Sequence, residues 1–332
     1  MNKIKLSALE LAPVKKGGNP REAIQRVLTA AQHIEKLGYE RMWLAEHHNM
    51  EYIACTATVV LISHIAEHTT TLRVGSGGIM LPNHAPLVVA EQFGTLETLY
   101  PGRIDLGLGR APGTDQSTAM ALRRNNINTQ FYFADDVKAL QQYFSVDNHT
   151  AKVRAFPAEG KEVPIWILGS STDSAYLAAE LGLPYAFASH FAPAMLRNAL
   201  EIYQTNFKPS HQLQQPYSLA CVNVVGAETT EEAQYLSSSL YNMFSGIVTN
   251  TRRPLSPPTE RPIYAGITEI EQAVQSMVSC TFVGDEATLS HELSAFAKAY
   301  NLDEIMTTSY IYDDQKRLKS YEVLARAFNS IA

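Results

Sequence analysis

The strongest constraint on this chain is a rhythm of strand-like and helix-like runs in alternation along its whole length. Residues 3–10, 41–45, 72–76, 103–108, 165–168, 185–188, 218–225 and 304–308 read as strands. Helical spacing predicts helices over 21–37, 56–67, 87–99, 135–144, 174–181, 195–207, 231–243, 286–300 and 315–328. The first carries Ala23, Ile24, Val27, Leu28, Ala31, Ile34 and Leu37 on one stripe, and Gly38 follows as a C-cap. Parallel neighbours need a crossover, and a helix supplies it. Eight such units in 332 residues predict an α/β chain closed into a (β/α)8 TIM barrel. No linker divides it, so residues 1–332 are expected to form one domain; a doubly wound sheet with an appended domain is the alternative.

Composition supports a large core. Hydrophobic residues make up 45% of the chain and charged residues 18%, which excludes a disordered chain. The net charge is −6 and no stretch interleaves Lys or Arg with aromatics, so a nucleic-acid partner is not expected. Long apolar runs and an N-terminal signal core are missing, so a membrane role is not expected either. Cys55, Cys221 and Cys280 are odd in number and far apart, which argues against a disulfide framework or thiolate pairs for zinc. The expectation is a cytoplasmic protein.

Residues 245–280 break the rhythm. They hold few sheet signals and the run Thr251-Arg-Arg-Pro-Leu-Ser-Pro-Pro-Thr259. Such a proline-containing insertion reads either as a loose surface excursion or as a mobile lid on the barrel rim. Arg252 and Arg253 lie within it, and as a lid they would reach inward to cover a phosphate or a substrate.

Barrel sites assemble from residues at the C-terminal ends of the strands. Here those ends carry Glu46-His47-His48, Gly77-Gly78, Gly107-Leu-Gly-Arg-Ala-Pro-Gly113, Gly169-Ser170-Ser171-Thr172 and Ser189-His190-Phe191. Adjacent strand side chains point to opposite faces, so the histidine pair suits a metal poorly and no metal is expected. One histidine is expected to face the site as acid, base or donor, the other to support it. The glycines of 107–113 lack the spacing and the position of a dinucleotide fingerprint, so they suit Arg110 beside a flat ring or phosphate. Pairing of Arg110 with Asp105 or Asp115 is the alternative. Gly169, Ser170 and Ser171 precede a helix, where the hydroxyls would cap it and free N–H groups could meet a phosphate. Gly77-Gly78 would give either close approach to a planar ligand or a simple bulge. Phe131, Tyr132, Phe133, Phe187 and Phe191 are candidates for an apolar lining or for core.

Together these motifs resemble the bacterial luciferase-like flavin monooxygenases, in particular a single-chain subgroup. The likeness runs through Trp43–Asn49, Val74–His84, Ala90–Phe93, Tyr100–Gly113, Ile167–Ser171, Phe187–Pro193, Phe282–Asp285 and Asp303–Met306. The resemblance implies a barrel that binds reduced FMN, supplied by a separate flavin reductase, and uses O2 to oxygenate a small organic molecule. By motif it assigns catalysis to His47 with His48 beside it, a non-proline cis peptide near the flavin ring to Gly77-Gly78, and phosphate contacts to Arg110 and Ser170. Gly169, Ser171 and His190 join the cofactor-binding candidates, and Arg123 or Arg124 is a further phosphate candidate. The insertion falls where luciferase carries a mobile loop. Gly109 replaces the reactive cysteine of luciferase, which implies more open space there and no useful light emission. A homodimer is expected by the same resemblance, through apolar helix faces such as residues 56–66. A deazaflavin- or NAD(P)H-linked oxidoreductase on the same barrel, or a non-catalytic flavin-binding protein, are the alternatives.

Overall fold

Apolar residues on both faces of each short run make the strands, and the stripes between them make the helices that cover the sheet. The computed structural model describes residues 3–111, 113–123 and 132–329. The first half holds β1 (Lys5–Glu10), α1 (Pro20–Lys36), β2 (Arg41–Leu44), α2 (Thr58–Glu67), β3 (Arg73–Met80), α3 (Pro86–Leu99) and β4 (Ile104–Gly109). Then come α4 (Gln116–Arg123), α5 (Phe133–Phe144), β5 (Ile165–Gly169), α6 (Thr172–Leu181), β6 (Tyr185–Phe187) and α7 (Leu196–Asn206). The chain finishes with β7 (Ser218–Gly226), α8 (Thr230–Val248), α9 (Thr268–Met277), β8 (Thr281–Gly284), α10 (Glu286–Tyr300), β9 (Glu304–Thr308) and α11 (Asp314–Asn329).

All strand pairs are parallel, and β1 to β7 with β9 close into a ring in which β9 lies between β7 and β1 and β6 pairs with β7. These are the eight strands the alternation predicts, and the chain is a (β/α)8 barrel. Inside it sit Leu9, Trp43, Trp166, Ala186, Leu219, Cys221 and Met306, while a larger core fills the layer between strands and helices. Local signals act as expected at α1: Asn19 and Glu22 form a reciprocal capping box, Pro20 opens the helix, and Gly38 turns out of it at φ +78°.

Three elements escape the periodicity. The helix α4 follows directly on the glycine-rich β4 loop. In α9 Val274 alone is buried, so its apolar stripe is too thin to read. The four-residue β8 is half exposed and pairs with the outer half of β7, Asn223–Gly226. The insertion is therefore no loose excursion. Leu255 is 1% exposed and joins the loop after β1, its N–H donating to Val14 O at 2.9 Å and its carbonyl accepting from Lys16 N–H at 2.8 Å. Tyr264, Val274 and Val278 pack with Leu240, Phe244 and Tyr310 in a satellite core. An isolated bridge from Pro13 to Ile53 ties the β1 loop in turn to the β2 loop.

The N-terminal end of the barrel is closed by charge. Arg41 Nη1 donates to Asp105 at 2.6 Å, and its Nε and Nη2 donate to Glu304 at 2.9 and 3.2 Å. Arg73 Nε reaches the other oxygen of Asp105 at 3.1 Å, Tyr217 OH donates to Glu304 at 2.8 Å, and Ser7 donates to Glu304 as well. The guanidinium of Arg41 lies over the Trp166 ring, 4.9 Å from its centroid. Burial pushes the Asp105 carboxyl up, but Arg41 and Arg73 outweigh it and hold it below the usual aspartate range.

Removing Arg41 strands two buried carboxylates, so Arg41→Met is expected to lower folding stability by about 3–5 kcal/mol in denaturant titrations. Because the Asp105 value is depressed, its contribution is complete above the ordinary value of about 4 and is lost as pH falls through the folded value. A variant as stable as its parent at neutral pH would sink this role.

Candidate active site

The C-terminal end of the barrel gathers most of the residues singled out from the sequence. At its centre is Glu46, which follows β2 and is 1% exposed. It accepts from His48 Nε2 at 2.9 Å, from His84 Nε2 at 2.9 and 3.0 Å, and from the Met80 N–H at 3.1 Å. Burial raises this carboxyl, but the two imidazoles and the backbone donor together bring it below the usual glutamate range. His48 thus belongs to the Glu46 hub, in the loop beyond the end of β2.

His47 points the other way. Its backbone N–H donates to Cys55 O at 2.9 Å, and its Nδ1 lies 3.4 Å from Gly113 O. A carbonyl only accepts, so Nδ1 carries the proton and Nε2 keeps its lone pair. Desolvation lowers the His47 value, the Gly113 contact partly restores it, and the nearby charge of Arg252 lowers it again. Across the mouth, His190 is buried with Nδ1 lacking a partner among the described residues. Its value is pushed down to about 3, first by desolvation and then by His47. Both rings are neutral at physiological pH.

Between β2 and β4, β3 continues past the predicted end at Ser76 to Met80, and its Gly77–Gly78 peptide is cis. The register against β4 shifts between Ser76 and Ile79, so the irregular ladder and the cis bond occur together. A Cβ on Gly77 would lie 2.7 Å from Leu9 Cδ1, and one on Gly78 would lie 2.7 Å from the backbone oxygen of Gly107. The open space expected beside Gly109 is absent. The Met80 side chain fills it, with Cε 2.8 Å from where a Cβ of residue 109 would sit.

Arg110 follows β4 and is half exposed; it pairs with Asp173 at 3.0 Å, not with Asp105 or Asp115. Asp105 belongs to the network at the opposite end, and Asp115 accepts from Asn49 and Thr118. Asp173 lies in the first turn of α6, so Arg110 is brought to that helix's N-terminus beside Gly169, Ser170 and Ser171. The expected hydroxyl cap is missing. Ser171 occupies the N-cap without a side-chain hydrogen bond, and Ser174 Oγ donates to its carbonyl at 2.9 Å. A Cβ on Gly169 would collide with Ser174, so glycine is required where β5 meets α6.

The aromatic candidates separate. Phe133 and Phe187 belong to the core outside the barrel, Tyr132 is exposed, and Phe191 stacks edge-on against His190 with centroids 4.8 Å apart. Phe131 and Arg124 lie outside the described residues, as does the side chain of Arg123. Two participants carry no role in the sequence reading. His84 completes the Glu46 hub from the turn after β3. Asn223 donates to His190 O at 2.7 Å and accepts from Thr308 Oγ1 at 2.7 Å, and its signal is a polar residue inside the apolar run of β7. Cys55, Cys221 and Cys280 are buried free thiols pushed upward by desolvation, Cys55 to about 12, so none is an activated nucleophile.

This geometry has close counterparts. The description of luciferase-like monooxygenases matches residues 6–300. The chain is 48% identical over 320 residues to the luciferase-like monooxygenase of Escherichia coli strain K12, covering 96% of each chain. It belongs to the luciferase-like monooxygenase family. Among solved structures, apo-MsnO8 superposes with a TM-score of 0.89 at 34% identity, covering 98% of both chains. The oxygenating constituent of 3,6-diketocamphane monooxygenase from Pseudomonas putida, a type II Baeyer–Villiger monooxygenase in complex with FMN, shares the fold at a TM-score of 0.74 and 16% identity over 97% of this chain and 97% of that one's length.

In this luciferase-like monooxygenase the Glu46 hub fixes three segments at once. Replacing it by Glu46→Gln keeps the shape but leaves both histidines without a charged acceptor, and stability at pH 7 is expected to fall by about 1–3 kcal/mol. The depressed carboxylate contributes fully above about pH 4 and loses its contribution as pH falls through its folded value. The gap between parent and variant therefore narrows in acid, measured by urea melts at several pH values. A gap that widens toward acid would contradict the assignment.

Proposed function

We propose that this chain is an FMN-dependent monooxygenase that receives reduced FMN from a separate flavin reductase and uses O2 to oxygenate a small organic substrate. The observation that carries the reading is a two-pole mouth. One pole offers Arg110, Ser170 and Ser171 at the N-terminus of α6, where no side chain caps the helix. Free helix N–H groups, hydroxyls and a guanidinium suit a phosphate. The other pole holds His47 and the buried His190, whose Nδ1 has no partner among the described residues. Between them, the cis Gly77–Gly78 peptide and Gly109 let strands β3 and β4 and the Met80 side chain pack closely, which shapes the floor on which a flat ring would lie. The related fold of an FMN complex supports the same cofactor.

When bound, reduced FMN would supply the electrons that activate dioxygen and deliver one oxygen atom. The chain's own work is placement and proton control. His47 keeps Nε2 unprotonated while Gly113 holds Nδ1–H, so it can take or return one proton at a defined atom. Glu46 holds His48, His84 and the Met80 N–H, fixing the backbone on which the glycines sit. The insertion, tied to the β1 loop through Leu255, would restrict water at the rim.

Among the described residues no helix is long and apolar enough to cross a membrane, and the free thiols fit a reducing cytoplasm. A homodimer forms in this reading through α2 and α3, whose groove leaves Val60 66% and Leu99 58% exposed. Light scattering should then give twice the 36.7 kDa chain mass, and Val60→Glu should give the monomer. A monomeric parent protein would remove this part.

The central test is an FMN titration followed by turnover under reduced FMN and oxygen, with products read by mass spectrometry. His47→Ala should keep FMN affinity and lose most turnover, about 100-fold or more, as for a missing acid–base group. Turnover that does not need oxygen would favour hydride transfer, and FMN binding without any turnover would favour flavin storage. With decanal, reduced FMN and oxygen, no sustained light is expected.

A further inference from the structure

The carboxylates nearest the strand ends already have partners. Glu10 pairs with Arg317, Glu46 with His48 and His84, Asp115 with Asn49 and Thr118, and Asp173 with Arg110. Arg252 and Arg253 are exposed, and no carboxylate among the described residues forms an ion pair with either. Their position is nevertheless fixed. The Thr251 N–H donates to Gly246 O at 2.8 Å, which turns the chain off the end of α8. Three residues after Arg252, Leu255 is locked between Val14 and Lys16. Val14 in turn donates to Tyr52 O at 2.9 Å, in the loop that follows Glu46-His47-His48. The segment that carries Arg252 is therefore held against the loop that follows β2, on the β1–β2 side of the mouth, and its charge lowers the His47 value.

That side is not the phosphate pole. Arg110 follows β4, Ser170 follows β5 and Ser171 is the N-cap of α6, and β3 stands between β2 and β4 around the ring. An exposed guanidinium beside a neutral imidazole attracts an anion and offers it paired, planar donors without adding a proton to the base.

We propose that Arg252 binds an anionic head group, a carboxylate or sulfonate, on the organic substrate and so selects substrates by charge, with Arg253 strengthening the field that draws them in. The remainder of the substrate extends inward toward His47 and the Phe191–His190 pair. This deepens the monooxygenase reading and rests on it for the role of the bound molecule as substrate.

The test is calorimetry on the FMN-loaded protein with octanoate, octanesulfonate and the uncharged octanamide. At least one anion should bind about tenfold or more tightly than the amide, as a charge-assisted contact allows, and added salt should weaken it. Arg252→Gln should erase that preference without changing FMN affinity, and Arg252→Lys should retain part of it. Equal binding of anion and amide, no detectable anion binding, or an unchanged preference in R252Q would overturn the proposal. Loss of FMN affinity in R252Q would also overturn it, by assigning Arg252 to the phosphate. Should the parent protein take up no FMN, the flavin reading falls. The anion preference and its loss in R252Q are then read on the protein alone and still decide this one.

Discussion

The barrel depends on one buried cation. Arg41 begins β2 and ties it to β4 through Asp105 and to β9 through Glu304, so a single side chain joins strands on both sides of its own. A ring of eight strands cannot close around a void, and Arg41 with Trp43, Trp166 and Tyr217 fills its narrow end. The arrangement is expensive to desolvate and is retained only because each carboxylate has more than one donor. With that end fixed, the opposite end is free to carry glycines, unpartnered groups and loops that a core would not tolerate.

The division of labour is visible in how each end treats its charges. At the closed end, opposite charges meet at hydrogen-bond distance and are fully enclosed. At the open end Glu10 pairs with Arg317 in the same way, while Glu46 gathers histidines and backbone instead of arginine. His47 and His190 are kept neutral by desolvation, and Arg110 sits half exposed at a helix start. Stability and chemistry are thus separated along the barrel axis.

Much of this was legible in the sequence because it follows from short-range rules. Strand and helix periods gave the ring of eight, and glycines at strand ends marked where backbone approaches backbone. What the sequence concealed depends on distant residues meeting. His84 and Glu46 are brought together by two loops, and nothing in either stretch announces the other. Met80 occupies the space beside Gly109 because β3 runs four residues past its last obvious strand residue. Arg110 chose Asp173, which is far along the chain, over the nearer Asp105 and Asp115. The insertion concealed α9 because its buried stripe is one residue wide.

The bridges from Ile53 to Pro13 and from Lys15 to Leu255 make one wall of the mouth out of three separate stretches of chain. No single stretch holds the shape of that wall. Exchange of the insertion alone between relatives would break its seam with the β1 loop, and exchange of the β2 loop alone would break the other. New selectivity on this scaffold must therefore arise either by point changes within the wall or by moving all three stretches together.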